Sequence, residues 1–547
     1  MNNPSSFAVQ APPRRTTILI IVGLMTGLLL GAMDQTIVAT AGPTIIADLG
    51  GLSVYAWVFS AYILTQTVSM PIFGKLSDLY GRRRFFVLGL LIFMVGSILS
   101  GLSQNIYQLI VFRAVQGIGS GAFFPVAIAV VGVVFPPSLR GRVQGIFASV
   151  FGISSVLGPS VGSYLVQAID WRWVFYINLP LGVVSLVIIR MGLKENIAKD
   201  AARTLDWLGI STLTAWIVLL MVGFLNGGST FSWYSWQEAV FFASAAGLFG
   251  AFVIVERRAV EPVIPLSLFR IRTVSSSSAV AFLRGVSFYA IISYVPLLVQ
   301  TGLGGSVNDG RNVVYAFTLP LIVGAILGGQ LGTRREYRGI VVAGCAIMTA
   351  GIYLLTSITS TSPLPDLFEK VALAGFGIGL TFATIVLAIQ YSVDRSQIGV
   401  ASSLAQFMGN LGGTIGLAIL GTIQANAFSG QLSKILQLVP EQSRVQASSF
   451  LSDPNLIGQI LATPSALAQV IKARPEVAPF VPALRDAFTQ SVIPLFWAGF
   501  AVSVATVVAA LFITGSMKQQ VAARNEAPSG EWGAKKPQST DFSTESK

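Results

Sequence analysis

Residues 28–38 read LLLGAMDQTIV, and they lie inside an apolar run, residues 17–40, that is long enough to cross a membrane as a helix. The acid in this run is Asp34, and a charge at that depth costs at least about 2.5 kcal/mol on insertion scales. Two explanations are open. Asp34 is a proton or cation site that faces a cavity, or it is a structural acid paired with another helix.

The composition is that of a multi-pass membrane protein. Of the 547 residues, 53% are hydrophobic and only 11% are charged, whereas soluble proteins carry about 25% charged residues. We therefore expect an all-α polytopic membrane protein with 14 transmembrane helices, and an even number puts both termini on one side. The predicted segments are approximately 17–40, 54–74, 85–103, 107–134, 143–168, 173–192, 206–226, 238–256, 275–300, 312–332, 339–358, 367–391, 398–423 and 490–514.

The Lys and Arg residues indicate the orientation. If the N-terminus is cytoplasmic, most of the 35 Lys and Arg residues fall in cytoplasmic segments, and the short outer loops hold only Arg172, Arg311 and Lys370. This pattern follows the positive-inside rule, so both termini are expected to be cytoplasmic. The net charge of +12 is then a topology signal with some attraction to anionic lipid, and it does not indicate a nucleic-acid partner.

Several classes of protein are disfavoured by what the sequence lacks. It contains no histidine and one cysteine, Cys345, which excludes an intrachain disulfide and histidine-based metal sites. The sequence has no Gly-x-x-x-x-Gly-Lys-Ser/Thr phosphate loop, which disfavours an ATP-driven pump. An enzyme acting inside the membrane would need a nucleophile, a metal cluster or paired carboxylates. We predict none of these, no metal and no cofactor, while a non-transporting sensor stays open.

The loop after the second segment reads GKLSDLYGRRR over residues 74–84. Gly74 and Gly81 permit a tight turn and close helix approach. Asp78 is an acid in a basic loop, where it can pair with an arginine such as Arg82 or Arg83, or lie at a helix N-terminus. Because such a contact can form in one conformation and break in another, we predict a conformational gate here.

This loop resembles the signature loop of the major facilitator superfamily. Residues 113–121, RAVQGIGSG, look like the fourth-helix motif of that family, and Gly158 and Pro159 with their flanking glycines resemble its antiporter motif. Small residues there permit tight packing, and Pro159 allows a kink. Four further stretches are similar to the fourteen-helix drug:proton antiporter family, namely residues 33–38, 171–180, 206–209 and 406–416. Departures from the usual residues are Leu79, Ala39, Gly42 and Ser163.

The resemblance implies two six-helix halves, residues 1–192 and 263–515, with two inserted helices in residues 193–262 and a cytoplasmic tail, residues 516–547. The substrate cavity would lie between the halves near mid-membrane and open alternately to either side. The long outer loop, residues 424–489, is expected to hold short amphipathic helices. This loop lies on the outer membrane surface, caps an exit path or is a solvated connector.

A depth argument predicts a partner for Asp34. At 1.5 Å per residue, Asp34 lies roughly 25 Å along the first helix, and Arg113 lies roughly 9 Å below the outer edge on the fourth. The two depths nearly coincide, and the resemblance implies that the first and fourth helices are neighbours, so Asp34 and Arg113 are expected to face each other across the cavity wall. We predict that this pair couples protons to transport, with Asp34 binding either a proton or the charge of a cation.

Arg284 is a second charge that is predicted to lie deep in the membrane. It lies about 14 Å from the start of the ninth segment, near the midplane, and the second half contains no comparably deep acid. Arg284 can bond backbone carbonyls, follow a water-filled cavity or bind an anionic substrate group. The predicted lining of the substrate cavity is Arg284, Gln66, Gln116, Tyr62, Gln406 and Asn410.

These observations predict a secondary active exporter, a proton antiporter of lipophilic and cationic drugs or toxic compounds that works by alternating access. The alternative is an exporter of an anionic or zwitterionic metabolite or lipid that uses Arg284. The expected partners are the small-molecule substrate, protons and the lipid bilayer, with no nucleic acid. The protein is expected to be a monomer in the plasma (cell inner) membrane.

Overall fold

The computed structural model describes residues 14–50, 54, 56–193, 205–227, 231–332, 336–394, 397–438, 472, 478 and 480–514. Nearly all of this described part is helical, because a chain in hydrocarbon must satisfy its backbone polar groups internally. The α-helices are α1 (Arg14–Leu49), α2 (Ala56–Tyr80), α3 (Arg82–Gly101), α4 (Ile106–Ser120), α5 (Phe123–Val134), α6 (Pro137–Ala168), α7 (Trp173–Tyr176), α8 (Asn178–Gly192), α9 (Trp207–Asn226), α10 (Trp236–Arg258), α11 (Arg272–Leu297), α12 (Val307–Gly332), α13 (Tyr337–Leu355), α14 (Leu364–Ser392), α15 (Ile398–Leu438) and α16 (Val481–Leu511).

Thirteen helical segments of the described part are long and apolar enough to cross a membrane. The helices α4 and α5 together form one of them, Ile106–Val134, and α7 and α8 together form another, Trp173–Gly192. The helix α2 matches the predicted segment 54–74, but it is not among the thirteen. The number of fourteen therefore remains a prediction.

The helices pack in two sets that meet along two seams. In the first set, α1 packs on α6 and α8, while α4 packs on α2 and α3; in the second, α14 packs on α12 and α13, while α11 packs on α15 and α16. The two sets meet where α6 contacts α12 and where α2 contacts α15. The helices α9 and α10 pack on each other, and α9 lies against α2 and α15 beside the second seam.

Glycines allow the closest helix crossings. A Cβ atom at Gly158 would collide with the Thr36 side chain, so α6 approaches α1 more closely there than a larger residue would permit. At Gly285, a Cβ atom would collide with the carbonyl oxygen of Gly409, which shows the same kind of contact between α11 and α15. These crossings bring the polar side chains of neighbouring helices within hydrogen-bonding reach.

The predicted outer loop 424–489 is shorter than expected at both ends. The helix α15 continues to Leu438, and α16 begins at Val481. The extension of α15 carries Phe428, Leu432 and Ile435 at helical spacing, and all three pack against the buried cluster of the second set. Most of residues 439–480, and with them the predicted amphipathic helices, lie outside the described residues, as does the tail 516–547.

Candidate functional site

Asp34 lies in a fully buried cluster formed by four helices. Its Oδ2 accepts a hydrogen bond from Nη1 of Arg113, and the two side chains form an ion pair with no exposed surface. Its Oδ1 accepts from Nε2 of Gln116 at 2.8 Å and from Nδ2 of Asn178 at 3.0 Å. Asp34 and Arg113 are therefore paired as the depth argument predicted, and their role in proton coupling remains a prediction.

Two members of this Asp34 cluster were not predicted. Asn178 at the start of α8 and Ser97 on α3 are both fully buried, and the Asn178 amide donates to Ser97 Oγ at 2.9 Å. Gln116 donates to the same oxygen at 3.1 Å, and Ser97 donates to the carbonyl oxygen of Phe175 at 2.9 Å. An amide in an apolar segment is a sequence signal that could have identified Asn178, whereas a serine such as Ser97 is too common to stand out.

The Asp34 cluster holds Arg113 on several sides. Arg113 donates from Nη1 to Gln116 Oε1 at 2.7 Å and from Nε to the Val58 carbonyl oxygen at 3.3 Å. Its guanidinium also lies over the Tyr62 ring, 4.2 Å from the centroid. A buried ion pair depends on further hydrogen bonds of this kind to offset the loss of hydration. They are not complete here, because Nη2 of Arg113 and Oδ1 of Asn178 are buried without a hydrogen-bond partner in the described part of the chain.

A chain of polar side chains runs from Tyr62 toward the space between the two sets of helices. Tyr62 donates to Ser120 Oγ at 2.7 Å, Gln66 donates to the same oxygen at 2.7 Å, and Gln35 donates to Gln66 Oε1 at 3.3 Å. Because the Tyr62 ring contacts Arg113, this chain connects the sealed charge cluster to the cavity wall.

A central cavity lies between the two sets of helices. Its polar lining residues come from both sets, and none of its lining residues is an acid. These polar residues are Gln35, Gln66, Ser120, Arg284, Gln406 and Asn410. Four of the predicted cavity residues, Gln66, Arg284, Gln406 and Asn410, therefore lie together in its wall.

A second cavity lies beside the Asp34 cluster and is lined by α1, α2, α4, α9, α11 and α15. Tyr62 and Arg113 line it together with the aromatic rings of Phe59, Phe224, Phe288 and Tyr289, so Tyr62 lines this cavity and not the central one. Gln116 was predicted to line the substrate cavity, and it lines neither cavity. It lies one turn after Arg113 on α4, where its side chain faces Asp34, Ser97 and Asn178.

Arg284 differs from every other deep polar group in the central cavity. Its side chain is 7% exposed, its Nη1 has no hydrogen-bond partner, and no acid pairs with it within the described part of the chain. Its guanidinium lies over the Phe382 ring, 4.5 Å from the centroid. The sequence left three roles open for Arg284, which were to bond backbone carbonyls, to follow a cavity or to bind an anionic substrate group. The structure places it beside a cavity, and the binding of an anionic group stays a prediction.

The end of the bundle that carries Lys75 and Arg82, called the basic end below, is closed by contacts between the two sets. Asp78 accepts from Nη2 of Arg82 at 2.5 Å and from the backbone N–H of Val400 at 3.0 Å, so it meets an arginine and the N-terminus of α15 at once. Burial raises the pKa of Asp78, which lies beyond the predicted span 54–74, to about 6 against the lowering effect of Arg82.

The glycines of this loop have the geometry that the sequence predicted. Gly81 has a φ of 107°, which favours glycine, at the turn between α2 and α3. Gly74 lies against Ser403 and the Gly399 carbonyl of α15, so a side chain there would separate the seam. Arg83 is half-buried in the first turn of α3. Pro159 lies inside α6, which continues through it to Ala168.

A second contact at the basic end was not predicted. Gln144 on α6 donates to Gln390 Oε1 at 2.8 Å, and Gln390 on α14 donates to the Ile128 carbonyl oxygen at 3.0 Å. Both amides are buried, and together they join the two sets. With Asp78 they close this end, while the second cavity occupies the space between the sets on the other side of Arg113.

Comparison with known proteins is consistent with this geometry. The family model described as Major Facilitator Superfamily matches residues 24–214 and 207–417. Multidrug resistance protein 3 of Bacillus subtilis is 37% identical over 444 residues, which cover 81% of this chain and 86% of that protein. Multidrug transporter protein MdtP of Bacillus subtilis is 36% identical over 479 residues, or 87% of each chain. The crystal structure of the human organic anion transporter MFSD10 (TETRAN) has a similar fold, with a TM-score of 0.57 and 15% identity over 90% of this chain and all of that one.

Proposed function

This chain belongs to the Major Facilitator Superfamily, and on that premise we propose that it is a secondary active exporter that moves lipophilic compounds in exchange for protons. It is a multi-pass membrane transporter and not an enzyme. Efflux is the direction that agrees with the multidrug names of the two Bacillus subtilis relatives. Exchange for protons is the part of the proposal that rests on the site.

The observation that carries this proposal is the sealed Asp34 cluster next to the cavities. A carboxylate that is fully buried and held by Arg113, Gln116 and Asn178 has a costly charge and a defined set of partners. Protonation removes the charge that holds those partners, so α1 and α4 can separate. The polar chain from Tyr62 to Gln35 links this change to the wall of the central cavity.

Alternating access supplies the rest of the proposed cycle. We propose two six-helix halves with two inserted helices, fourteen spans in all, and cytoplasmic termini. With that orientation the basic end is cytoplasmic and closed, so the present conformation is open toward the outside. Opening inward requires the contacts of Asp78 with Val400 and of Gln144 with Gln390 to break.

Two substrate classes remain candidates. Lipophilic cations are the predicted class, and the aromatic rings of the second cavity, Phe224 and Tyr289 among them, suit them through cation–π attraction. Anionic or zwitterionic compounds are the second candidate, and the unpaired Arg284 in the central cavity favours them. The protein is proposed to act as a monomer in the plasma membrane.

Transport into proteoliposomes under an imposed pH gradient tests proton exchange. We expect Asp34→Asn to reduce drug transport driven by the gradient at least 10-fold while substrate binding in detergent persists, because the neutral amide cannot alternate between charge states. Asp48→Asn is the matched control. Asp48 is on the same helix and also pairs with an arginine, Arg172 at 3.0 Å, but that pair is exposed. Full gradient-driven transport by Asp34→Asn would refute the proposed coupling.

A further inference from the structure

Arg284 is a buried cation without a counter-charge. Its guanidinium is over nine-tenths buried, its Nη1 has no partner, and it pairs with no carboxylate among the described residues. Its guanidinium lies over the ring of Phe382, 4.5 Å from the centroid. Charged side chains inside a membrane are costly, and they face other charges, backbone carbonyls or water-filled cavities that carry a substrate or ion. Among the described residues, Arg284 faces neither an opposite charge nor a bonded carbonyl, and it lines a cavity.

The surroundings of Arg284 supply hydrogen-bonding groups without negative charge. Gln406 and Asn410 lie one turn apart on α15, and both line the central cavity with Arg284. Within the described part of the chain, the Asn410 amide donates one weak hydrogen bond, to the sulfur of Met70 at 3.7 Å. Gly409 lies between the two amides, where even a Cβ atom would come within 3.9 Å of Arg284 Nη2. Donors from α11 and α15 therefore converge on one region of the cavity.

We propose that Arg284, with Gln406 and Asn410, forms an anion-recognition site that binds the carboxylate, sulfonate or phosphate group of a lipophilic substrate. The guanidinium supplies the fixed positive charge and paired N–H donors that match such groups. The rest of the substrate lies against the aromatic wall, where Phe288 and Tyr289 line both cavities. This inference rests on the proposed export function and names the substrate class for it.

The geometry disfavours a cationic group at this position. A cation in the central cavity would meet the uncompensated charge of Arg284, and no lining residue is an acid that could offset the repulsion. Any cationic group of a zwitterion is expected in the second cavity, which the aromatic rings of Phe59 and Tyr62 line. The anionic group of a zwitterion would then lie in the central cavity and its cationic group in the second cavity.

A pair of xanthene dyes tests the site, because fluorescein is anionic and rhodamine 6G is cationic on a closely related ring system. Binding to purified full-length protein in neutral detergent is followed by fluorescence anisotropy. We expect Arg284→Gln to weaken fluorescein binding about 10- to 100-fold, as loss of a charge-assisted contact does. Rhodamine 6G binding is expected to stay unchanged or to tighten, and Arg284→Lys to keep part of the fluorescein affinity.

The matched control is Arg311→Gln. Arg311 also lies over an aromatic ring, that of Tyr315 at 5.9 Å, but its side chain is exposed. This variant removes the same charge and is expected to leave the binding of both dyes unchanged. Equal fluorescein affinity of the wild type and Arg284→Gln, with both folded by thermal melting, would overturn the proposal and leave Arg284 as a packing partner of Phe382.

Two further measurements are needed. One distinguishes a lipid headgroup from a free organic anion as the ligand, and the other distinguishes failure of the anion site from failure of the proposed export function. Competition by short-chain phosphatidylglycerol at the Arg284 site supports a lipid headgroup as the ligand, and absence of competition supports a free organic anion. Binding is measured without a pH gradient, so its outcome does not depend on proton coupling. Loss of gradient-driven transport in the wild type would refute the exporter proposal while the fluorescein result stands by itself.

Discussion

Arg113 and Arg284 are deeply buried arginines, one in each set of helices, and they are held in opposite ways. Arg113 has no exposed surface and bonds Asp34, Gln116 and the carbonyl oxygen of Val58. Arg284 is also buried, but it lines the central cavity, its guanidinium lies over the Phe382 ring, and it pairs with no acid among the described residues. Burial alone therefore does not define the role of a charge in this protein.

The difference lies in what completes each site. Arg113 has its counter-charge within the protein, in Asp34, although its Nη2 is buried without a described hydrogen-bond partner and it also lines the second cavity. Arg284 has no carboxylate partner among the described residues, so a counter-charge for it has to come from the cavity. We infer that the first site responds to protons and the second to substrate. Substitutions that remove a charge or a hydrogen-bond partner at each site test this inference.

The largest effect is expected for Arg113→Gln. This change leaves the Asp34 carboxylate buried without its counter-charge, and breaking a buried pair costs about 3–5 kcal/mol. The free energy of unfolding, measured by titration with SDS in mixed micelles, should fall by about that amount. Arg172→Gln, which breaks the solvent-accessible pair with Asp48, should change it much less, because water and salt screen such a pair. The double variant Asp34→Asn with Arg113→Gln should recover part of the loss.

A smaller loss is expected for Asn178→Leu. It removes the amide that donates to Asp34 Oδ1 at 3.0 Å and to Ser97 Oγ at 2.9 Å, and a hydrogen bond to a charged group contributes about 1.5–3 kcal/mol. Gradient-driven transport should fall with stability, because the carboxylate loses one of its three partners. Unchanged stability would mean that Arg113 and Gln116 alone hold the Asp34 charge.

Asp78 is intermediate between Arg113 and Arg284. It has hydrogen-bond partners in Arg82 and Val400, but burial still raises its pKa. The ordinary pKa of this carboxyl is 3.8, and burial in the closed basic end raises it to about 6. Between these two pH values the closed basic end therefore loses stability as pH increases, because the buried carboxyl binds a proton more readily than an exposed one. The closed conformation should therefore gain population as pH falls from about 6 toward about 4. Distances between spin labels on α2 and α15 measure this, and a pH response that survives Asp78→Asn would assign it elsewhere.

The smallest effect on stability is expected for Arg284→Gln. Removing a buried cation that has no counter-charge relieves its burial cost, so the free energy of unfolding should stay the same or rise by roughly 1 kcal/mol. The same SDS titration compares it with Arg113→Gln. A loss as large as that of Arg113→Gln would show that Arg284 is satisfied within the protein, and the contrast between the two arginines would disappear.

Much of the fold could be predicted from the sequence, because hydropathy and helix rise act locally. The pairing of Asp34 with Arg113 was predicted from their depths together with the helix neighbours that the family resemblance implies. The tight turn at Gly81 and an arginine or helix N-terminus as the partner of Asp78 were predicted from backbone geometry and charge, and the gate that they would form stays a prediction. The extension of α15 was missed, although the spacing of Phe428 and Leu432 indicates it.

The remaining features depend on how the helices are rotated about their axes. Depth does not show which face of α4 is turned toward α3, so Gln116 was predicted in the cavity wall and lies in the Asp34 cluster. The same uncertainty hid Ser97 and the link between Gln144 and Gln390. Side-chain partners are chosen by packing among several helices, and that information is not local.

The sequence by itself determined a polytopic helical membrane protein, the depth of its charges and the family to which it belongs, because each of these follows from residue type and spacing. Only the tertiary structure decided which buried arginine has a counter-charge. Arg113 and Arg284 look alike in the sequence, as single arginines in apolar segments. They differ because helix packing places Asp34 against Arg113, with Gln116 and Asn178 donating to the carboxylate, whereas it places no described acid beside Arg284.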